Sequence, residues 1–157
     1  MRGLSSAAPP QSRGALVRPA VRPGARRSRV RRRILGRMAA KDELGRRGER
    51  IAERALIGRG YEILDRNWRC PEGEIDLVAR DGEALVFIEV KTRSSTRYGH
   101  PFEAITPGKL SRLRRLAAAW LAARGPVRGA RRLRIDAIGV LAPRDAPASI
   151  EHLEGIF

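Results

Sequence analysis

Charged residues interrupt two neighbouring apolar segments between Gly73 and Arg93, and no other feature constrains the fold as strongly. Asp76 lies in the first segment, and Glu89 and Lys91 lie in the second. Burial of a charged group is costly unless the group is paired or binds a metal ion. The pattern therefore predicts two paired strands that bring two carboxylates and a lysine together at a divalent-metal site.

The dipeptide Asp81-Gly82 is a strong signal for a two-residue turn between the two segments. With this turn, or with a slightly longer loop that includes Glu83, the segments form an antiparallel hairpin. A tight turn at Asp81-Gly82 places Asp76 and Glu89 diagonally across the strands, about 7–8 Å apart. Because side chains alternate along a strand, Glu89 and Lys91 are expected on the same side.

The expected donor set suits magnesium, which prefers oxygen ligands and usually retains several waters. Asp76, Glu89 and the backbone carbonyl of Val90 would bind Mg²⁺ or Mn²⁺. Lys91 would orient or deprotonate the attacking water, or neutralise charge on a phosphate. The alternative is a surface hairpin with solvated ion pairs, but the apolar neighbours of Glu89 favour the metal site.

The net charge is a poor guide to function because it is unevenly distributed. The chain of 157 residues suits one domain and has a formal charge of +16. Residues 1–37 contain 11 of its 33 Lys and Arg residues and none of its 17 acids. Residues 38–157 are therefore only mildly basic, and the case for a nucleic-acid partner rests on the hairpin.

Residues 1–37 are rich in Pro, Gly, Ser, Ala and Arg, which predicts a disordered extension before a single domain at 38–157. Three interpretations of the extension are open. It is a basic arm that contacts nucleic acid, an Arg-rich targeting peptide, or a segment that precedes a true translation start at Met38. We favour the last, because periodic structure begins just after Met38.

Several other site classes are disfavoured by composition. The single cysteine, Cys70, excludes a disulfide within the chain, and with only two histidines a Cys/His zinc site is not expected. No apolar segment approaches the ~18 residues of a membrane span. We expect a cytoplasmic protein without a membrane partner.

Hydrophobic periodicity predicts a mixed α/β fold with one small central sheet. The predicted elements are a helix from Asp42 to about Arg59, strands over 61–68, 74–80 and 84–93, a helix from Pro107 to Gly125, a strand over 132–141 and an edge strand over 150–153. Thr106 is expected to cap the second helix.

Several sequence blocks, in order, resemble the bacterial YraN family of predicted endonucleases. They are Gly45–Glu49, Gly60–Leu64, Arg66–Arg69, Gly73–Leu77 and Val86–Arg93. The family is assigned to the PD-(D/E)XK nuclease superfamily, near the archaeal Holliday junction resolvases. The resemblance covers about residues 41–157 and implies a restriction-endonuclease-like sheet flanked by helices.

The resemblance also implies roles for individual residues. Asp76 and Glu89 match the metal ligands of the superfamily, and Lys91 matches its catalytic lysine. Glu49 resembles the additional acid with which resolvases complete the metal site, although the sequence alone equally allows a solvated helix acid. Ile75 departs from the superfamily pattern, which has proline before the aspartate.

Five basic residues are expected to contact a phosphate backbone beside the metal, and the alternative is an ordinary solvated face. They are Arg93, Arg97, Lys109, Arg112 and Arg115. Asp136, an acid within the last long strand, is expected to pair with an arginine rather than to take part in catalysis.

Together these features predict a metal-dependent endonuclease that hydrolyses phosphodiester bonds in DNA, with branched or junction DNA as a candidate substrate. A homodimer is a candidate assembly, since resolvases act as symmetric dimers. Two alternatives are a non-catalytic nucleic-acid-binding protein that retains the fold and a protein-assembly partner.

Overall fold

The structure is a computed structural model that describes residues 24–156, and it confirms the predicted mixed α/β class. Two short 3₁₀ helices, Thr96–Tyr98 and Pro101–Ala104, lie in the predicted polar connection. The other elements are α1 (Gly24–Gly58), β1 (Glu62–Cys70), β2 (Gly73–Asp81), β3 (Ala84–Arg93), α2 (Pro107–Arg124), β4 (Arg132–Leu141) and β5 (Ser149–Leu153). Within these residues, no helix has both the length and the apolar character that crossing a membrane requires.

The five strands form one open sheet in the order β1-β2-β3-β4-β5. The β3–β4 pair is parallel and the other pairs are antiparallel. A parallel pair needs a long crossover, and α2 supplies it between β3 and β4. Thr106 caps α2 through a hydrogen bond from the Lys109 amide (3.4 Å), as predicted.

Each helix packs against one face of the sheet. Val86 and Ile88 of β3 belong to an apolar cluster with Ala52 of α1, whereas Phe87 belongs to a cluster with Trp120 of α2. Alternation along β3 explains this division. The Phe87 and Trp120 rings meet edge to face, with centroids 5.7 Å apart. The central strands are therefore covered on both faces, and a polar group within them needs a partner.

Helix α1 starts well before the predicted Asp42. Residues 24–37, which were predicted to be disordered, are helical in the structure, because Arg, Leu and Ala all favour helix and α1 contains no proline. Residues 1–23 of the predicted extension lie outside the described residues. The described residues divide into two units at Leu35 and Gly36, and the unit that begins at Gly36 contains the whole sheet.

The register of the β2–β3 hairpin corrects the predicted diagonal placement of Asp76 and Glu89. The two-residue loop is Gly82-Glu83, one residue later than expected, because Gly82 with φ +56° takes the first loop position. Asp81 is thus the partner of Ala84, and Leu77 is the partner of Ile88. Asp76 and Glu89 are therefore the first residues beyond the last paired positions of the two strands, and not offset by two residues as a tight turn at Asp81-Gly82 predicts.

A buried polar network joins the end of the chain to the sheet. Asp136 is fully buried and accepts hydrogen bonds from Arg134 Nε (3.0 Å), His152 Nε2 (2.9 Å) and the Gly155 amide (2.9 Å). The predicted pairing with an arginine is confirmed. Arg59 Nη1 lies 3.0 Å from His152 Nδ1, and a guanidinium only donates, so the imidazole hydrogen is on Nε2.

The environment of Asp136 favours its ionised form. Burial alone would raise the pKa of Asp136, but hydrogen bonds from His152, Arg134 and the Gly155 amide outweigh burial and hold this pKa below its ordinary value. The charge therefore stabilises the fold at neutral pH. This stabilisation is present above the ordinary carboxyl pKa of about 3.9 and is lost as pH falls below it.

We expect Asp136→Asn to lower the free energy of unfolding at pH 7 by about 1.5–3 kcal/mol, since Arg134 loses its buried acid but keeps Asp81 and Glu154. Chemical denaturation from pH 7 to pH 3 should show the gap to wild type narrowing below about pH 4. Asp145→Asn removes an exposed acid and should change stability by less than about 0.5 kcal/mol. A gap that stays constant down to pH 3 would contradict this account.

Candidate active site

The candidate site lies where β2 separates from β3. The hydrogen-bonded register between these strands ends at Leu77 and Ile88. Beyond this point β2 still pairs with β1 as far as Gly73, and β3 still pairs with β4 as far as Arg93. The two central strands thus each keep their outer neighbour while they part from each other, which opens a mouth in the middle of the sheet.

The side-chain alternation of β2 breaks at the same place. Ile75 packs in the α2 cluster, whereas Leu77, two residues later, packs in the α1 cluster. Residues two apart on a regular strand share a face, so the backbone must turn at Asp76. This turn directs Asp76 into the mouth between the strands.

Asp76 spans the mouth to the opposite strand. Its Oδ2 accepts a hydrogen bond from the Val90 amide at 2.7 Å, in place of a backbone carbonyl of the ladder. This hydrogen bond holds the carboxylate in one orientation through Oδ2, and Oδ1 is not used by it. Val90, predicted to offer its carbonyl to a metal ion, contacts Asp76 through its amide.

Glu89 and Lys91 lie on the same side of β3, as predicted, and contact each other. Lys91 Nζ donates to Glu89 Oε1, and the two side chains are 24% and 16% exposed. Both groups are thus largely removed from water. The lysine charge is held next to the carboxylate pair rather than in solvent.

Burial and the neighbouring carboxylates oppose full ionisation of Asp76. Burial raises the pKa of Asp76 to about 7, and repulsion from Glu89 and Glu49 adds to this, while the Val90 amide and Lys91 act against it. A carboxyl with a strongly raised pKa in a cleft is typical of functional sites. A bound cation would remove the repulsion that raises this pKa.

Helix α1 brings Glu49 to the site by close approach to β3. A Cβ at Gly48 would overlap the side chain of Thr92, so only glycine permits this packing. Glu49 Oε2 accepts a hydrogen bond from Asn67 Nδ2 at 2.9 Å. Asn67 has a φ of +47°, a left-handed conformation that asparagine tolerates better than most residues.

Asn67 is a neighbour of Asp76 across the β1–β2 pair. The pairs Arg66–Leu77 and Trp68–Ile75 flank the two residues. Asn67 therefore connects the helix acid to the strand that bears Asp76. Sequence reasoning did not single out this residue, since its role depends on the pairing of β1 with β2.

One cleft of about 730 Å³ contains most of these groups. Three predicted residues, Glu49, Asp76 and Lys91, line it together. The other lining residues are Lys41, Asp42, Gly45, Arg46, Asn67, Arg69 and Glu74. Most of the polar ones were missed because their sequence neighbourhoods are those of ordinary surface residues. Arg69 and Glu74 form an ion pair at 3.1 Å.

The donor chemistry fits a magnesium-type site without a complete protein cage. Among the described residues, no three His, Cys, Asp or Glu side chains are close enough together to hold a metal ion by themselves. Mg²⁺ is usually bound by one or two carboxylates, with water and substrate phosphate as further ligands. Asp76 Oδ1 and Glu89 Oε2, which the two contacts above leave unused, would supply such carboxylate oxygens.

The five residues predicted to contact phosphate are dispersed. Arg93 is half-buried and lines a cleft that adjoins the site. Arg97, Lys109 and Arg115 are exposed and border neither of these clefts. Arg112 lies over Gly73 and donates from Nε to the Glu72 carbonyl at 3.3 Å. Their contacts with nucleic acid remain a prediction.

Comparison with known proteins gives one consistent family. Residues 48–140 match the model of the uncharacterised protein family UPF0102. A UPF0102 protein of Beutenbergia cavernae is 59% identical over 119 residues, which is 76% of this chain and 99% of that protein. A UPF0102 protein of Leifsonia xyli subsp. xyli is 58% identical, with the same coverage of 76% and 99%.

The matched region contains Glu49, Asp76, Glu89 and Lys91. This confirms the resemblance to the YraN family, which is the same family under its other name. The chain belongs to the UPF0102 (YraN) protein family.

Proposed function

We propose that this protein is a Mg²⁺- or Mn²⁺-dependent endonuclease that hydrolyses phosphodiester bonds in DNA, with branched or junction DNA as the candidate substrate. Family membership supplies no activity, so the proposal rests on the site. The observation that carries it is the meeting of Asp76, Glu89 and Lys91 where β2 and β3 separate. A binding surface alone has no need of two facing carboxylates.

Asp76 and Glu89 would hold the cation, and Glu49 would add a third carboxylate from α1. When bound, a divalent cation neutralises charge on a phosphoryl oxygen and lowers the pKa of a bound water. Asp76 is suited to this role because its hydrogen bond from the Val90 amide fixes its position before a ligand arrives. A fixed ligand needs little reorganisation when the substrate binds.

Lys91 would stabilise the negative charge that develops on the phosphate during attack. Its ammonium group is mostly shielded from water and is held by Glu89. A positive charge in such an environment interacts more strongly with an oxyanion than it would in bulk solvent. Glu89 would thus serve both as a cation ligand and as the group that positions Lys91.

The alternative of a binding-only protein makes a different prediction for the same site. It expects salt-sensitive association with DNA and no metal-dependent strand scission. The carboxylates would then be a liability, since they repel phosphate. Cleavage assays on site variants distinguish the two functions.

We expect the purified chain to cut linear or four-way-junction DNA with Mg²⁺ or Mn²⁺. Asp76→Asn and Lys91→Gln should each lower the cleavage rate by at least about 10²-fold, because each removes transition-state stabilisation. Asp145→Asn, a loop substitution outside the cleft, should cleave like wild type. Cleavage that survives in both site variants would refute the assignment, and absence of cleavage with intact DNA binding would favour the alternative.

Thermal unfolding tests the cation site without reference to activity. At pH 8 without metal, Asp76→Asn should be more stable than wild type by about 1 kcal/mol, or about 2–4 °C in Tm, because the cost of burying the charge and the repulsion from Glu89 are both removed. Added Mg²⁺ should raise the Tm of wild type by binding the folded state, but not that of Asp76→Asn. An equal Mg²⁺-dependent increase in both proteins would place the cation elsewhere.

Asn67 is expected to act as a positioning residue for Glu49. Asn67→Gly keeps the left-handed backbone and removes the amide donor, so unfolding stability should change by less than about 1 kcal/mol. The Mg²⁺ concentration for half-maximal cleavage should rise about 10-fold or more, as is usual when a group that orients a ligand is removed. Unchanged metal dependence in this variant would show that Glu49 needs no support from Asn67.

A further inference from the structure

The active-site cleft continues along α1 into two more clefts. One, of about 490 Å³, is lined by Lys41, Gly45 and Lys91 of the first cleft and extends to Arg93 and Ser94. The next, of about 600 Å³, shares Lys41 and Ser94 and extends to Arg37, Arg47 and Arg144. We call these two clefts the α1 groove. Lys41 borders all three clefts, so the groove and the active site are continuous.

The α1 groove carries an excess of positive charge. Arg37, Lys41, Arg47 and Arg144 form no ion pair with any residue that the structure describes. Glu43, the acid that borders the groove, is occupied by Arg46 at 3.0 Å and Arg50 at 3.2 Å. Four cations without acidic partners are thus collected around one concave surface, where their potentials reinforce each other.

Arg93 adds a fifth uncommitted cation to the floor of the groove. Its Nε is buried and has no hydrogen-bond partner within the described part of the chain, and its Nη1 donates to the Thr92 carbonyl at 3.3 Å. Unpartnered buried donors are rare and usually mark a strained or functional position. The guanidinium is therefore free of any acid while it faces a basic groove.

We propose that the α1 groove binds the phosphate backbone of the nucleic-acid strand that leads away from the scissile phosphate. This inference rests on the proposed function, because it treats the adjoining cleft as the site of cleavage. No aromatic ring borders any of the three clefts over the described residues, so the groove offers no platform for base stacking. Contacts to phosphates alone carry no sequence information, and binding is sequence-independent.

The length of the groove sets the number of phosphates. Arg37 and Arg47 are the groove residues that lie furthest apart on α1, and the rise of 1.5 Å per helical residue separates them by about 15 Å. At about 3.4 Å per phosphate along one strand of a duplex, the groove spans about four phosphates. This path differs from that of Arg97, Lys109, Arg112 and Arg115, which border no part of the groove.

Metal-free binding of fluorescent DNA and RNA oligonucleotides tests the proposal. The double variant Lys41→Gln/Arg144→Gln neutralises exposed residues on the two walls of the groove. We expect at least about 10-fold weaker binding, with a salt dependence shallower by about 1.4 in log–log slope for a single strand. The matched control, Arg128→Gln/Arg132→Gln, removes two exposed arginines outside the groove and should bind like wild type.

Three results would overturn the proposal: no binding by wild type, an equal loss in the control, or a larger loss in Arg97→Gln/Arg115→Gln than in the groove variant. Affinity that depends on base sequence would also contradict it. Binding through the groove without metal-dependent cleavage would leave phosphate binding by the groove standing and remove the proposed function. Cleavage that is unaffected by the groove substitutions would leave the proposed function standing and remove the role of the groove.

Discussion

The hydrogen bond from the Val90 amide to Asp76 Oδ2 is the interaction on which the candidate site depends. A regular β2–β3 ladder would pair both strands to their ends and direct alternate side chains into the two helix-covered layers. The carboxylate instead takes the place of a backbone acceptor, so the strands separate without leaving the Val90 donor unsatisfied. Glu89 and Lys91 lie at this opening, because burying their charges in either apolar layer would be costly.

The buried and incompletely paired Asp76 lowers the stability of the fold. The largest influence on Asp76 is burial, followed by repulsion from Glu89, and neither is relieved fully by the Val90 amide or Lys91. By contrast, the buried Asp136 has a complete set of donors in Arg134, His152 and Gly155. The same sheet thus contains one satisfied carboxylate with a structural role and one incompletely satisfied carboxylate at a cleft. That difference, rather than burial alone, distinguishes the candidate functional acid from the structural one.

The sequence predicted the elements whose signals are local. Helix α2 begins after Thr106 and ends before Gly125, as predicted, and the strand over 132–141 has the predicted bounds. Helix caps and strand alternation both depend on residues that are close in sequence. The predicted hairpin register was wrong because Gly82 occupies the first position of the two-residue loop and not the second. Two neighbouring turns fit the same segment of sequence. The sequence could not predict the hydrogen bond from Asn67 to Glu49. This contact depends on how β1 pairs with β2 and on the position of α1 next to β1.

Charge shows the same division between local and tertiary information. The count of basic residues alone would assign nucleic-acid binding to the N-terminal arginines. Helical periodicity along α2 instead suggested Lys109, Arg112 and Arg115 as phosphate contacts. The groove instead combines Lys41 of α1, Arg93 of β3 and Arg144 of the β4–β5 loop, which are distant in sequence. Each is unremarkable alone, and only the folded sheet collects them beside Asp76. An acidic centre repels a polyanion, so the proposed function requires a neighbouring surface that attracts one, and the α1 groove is where uncompensated positive charge adjoins the carboxylates.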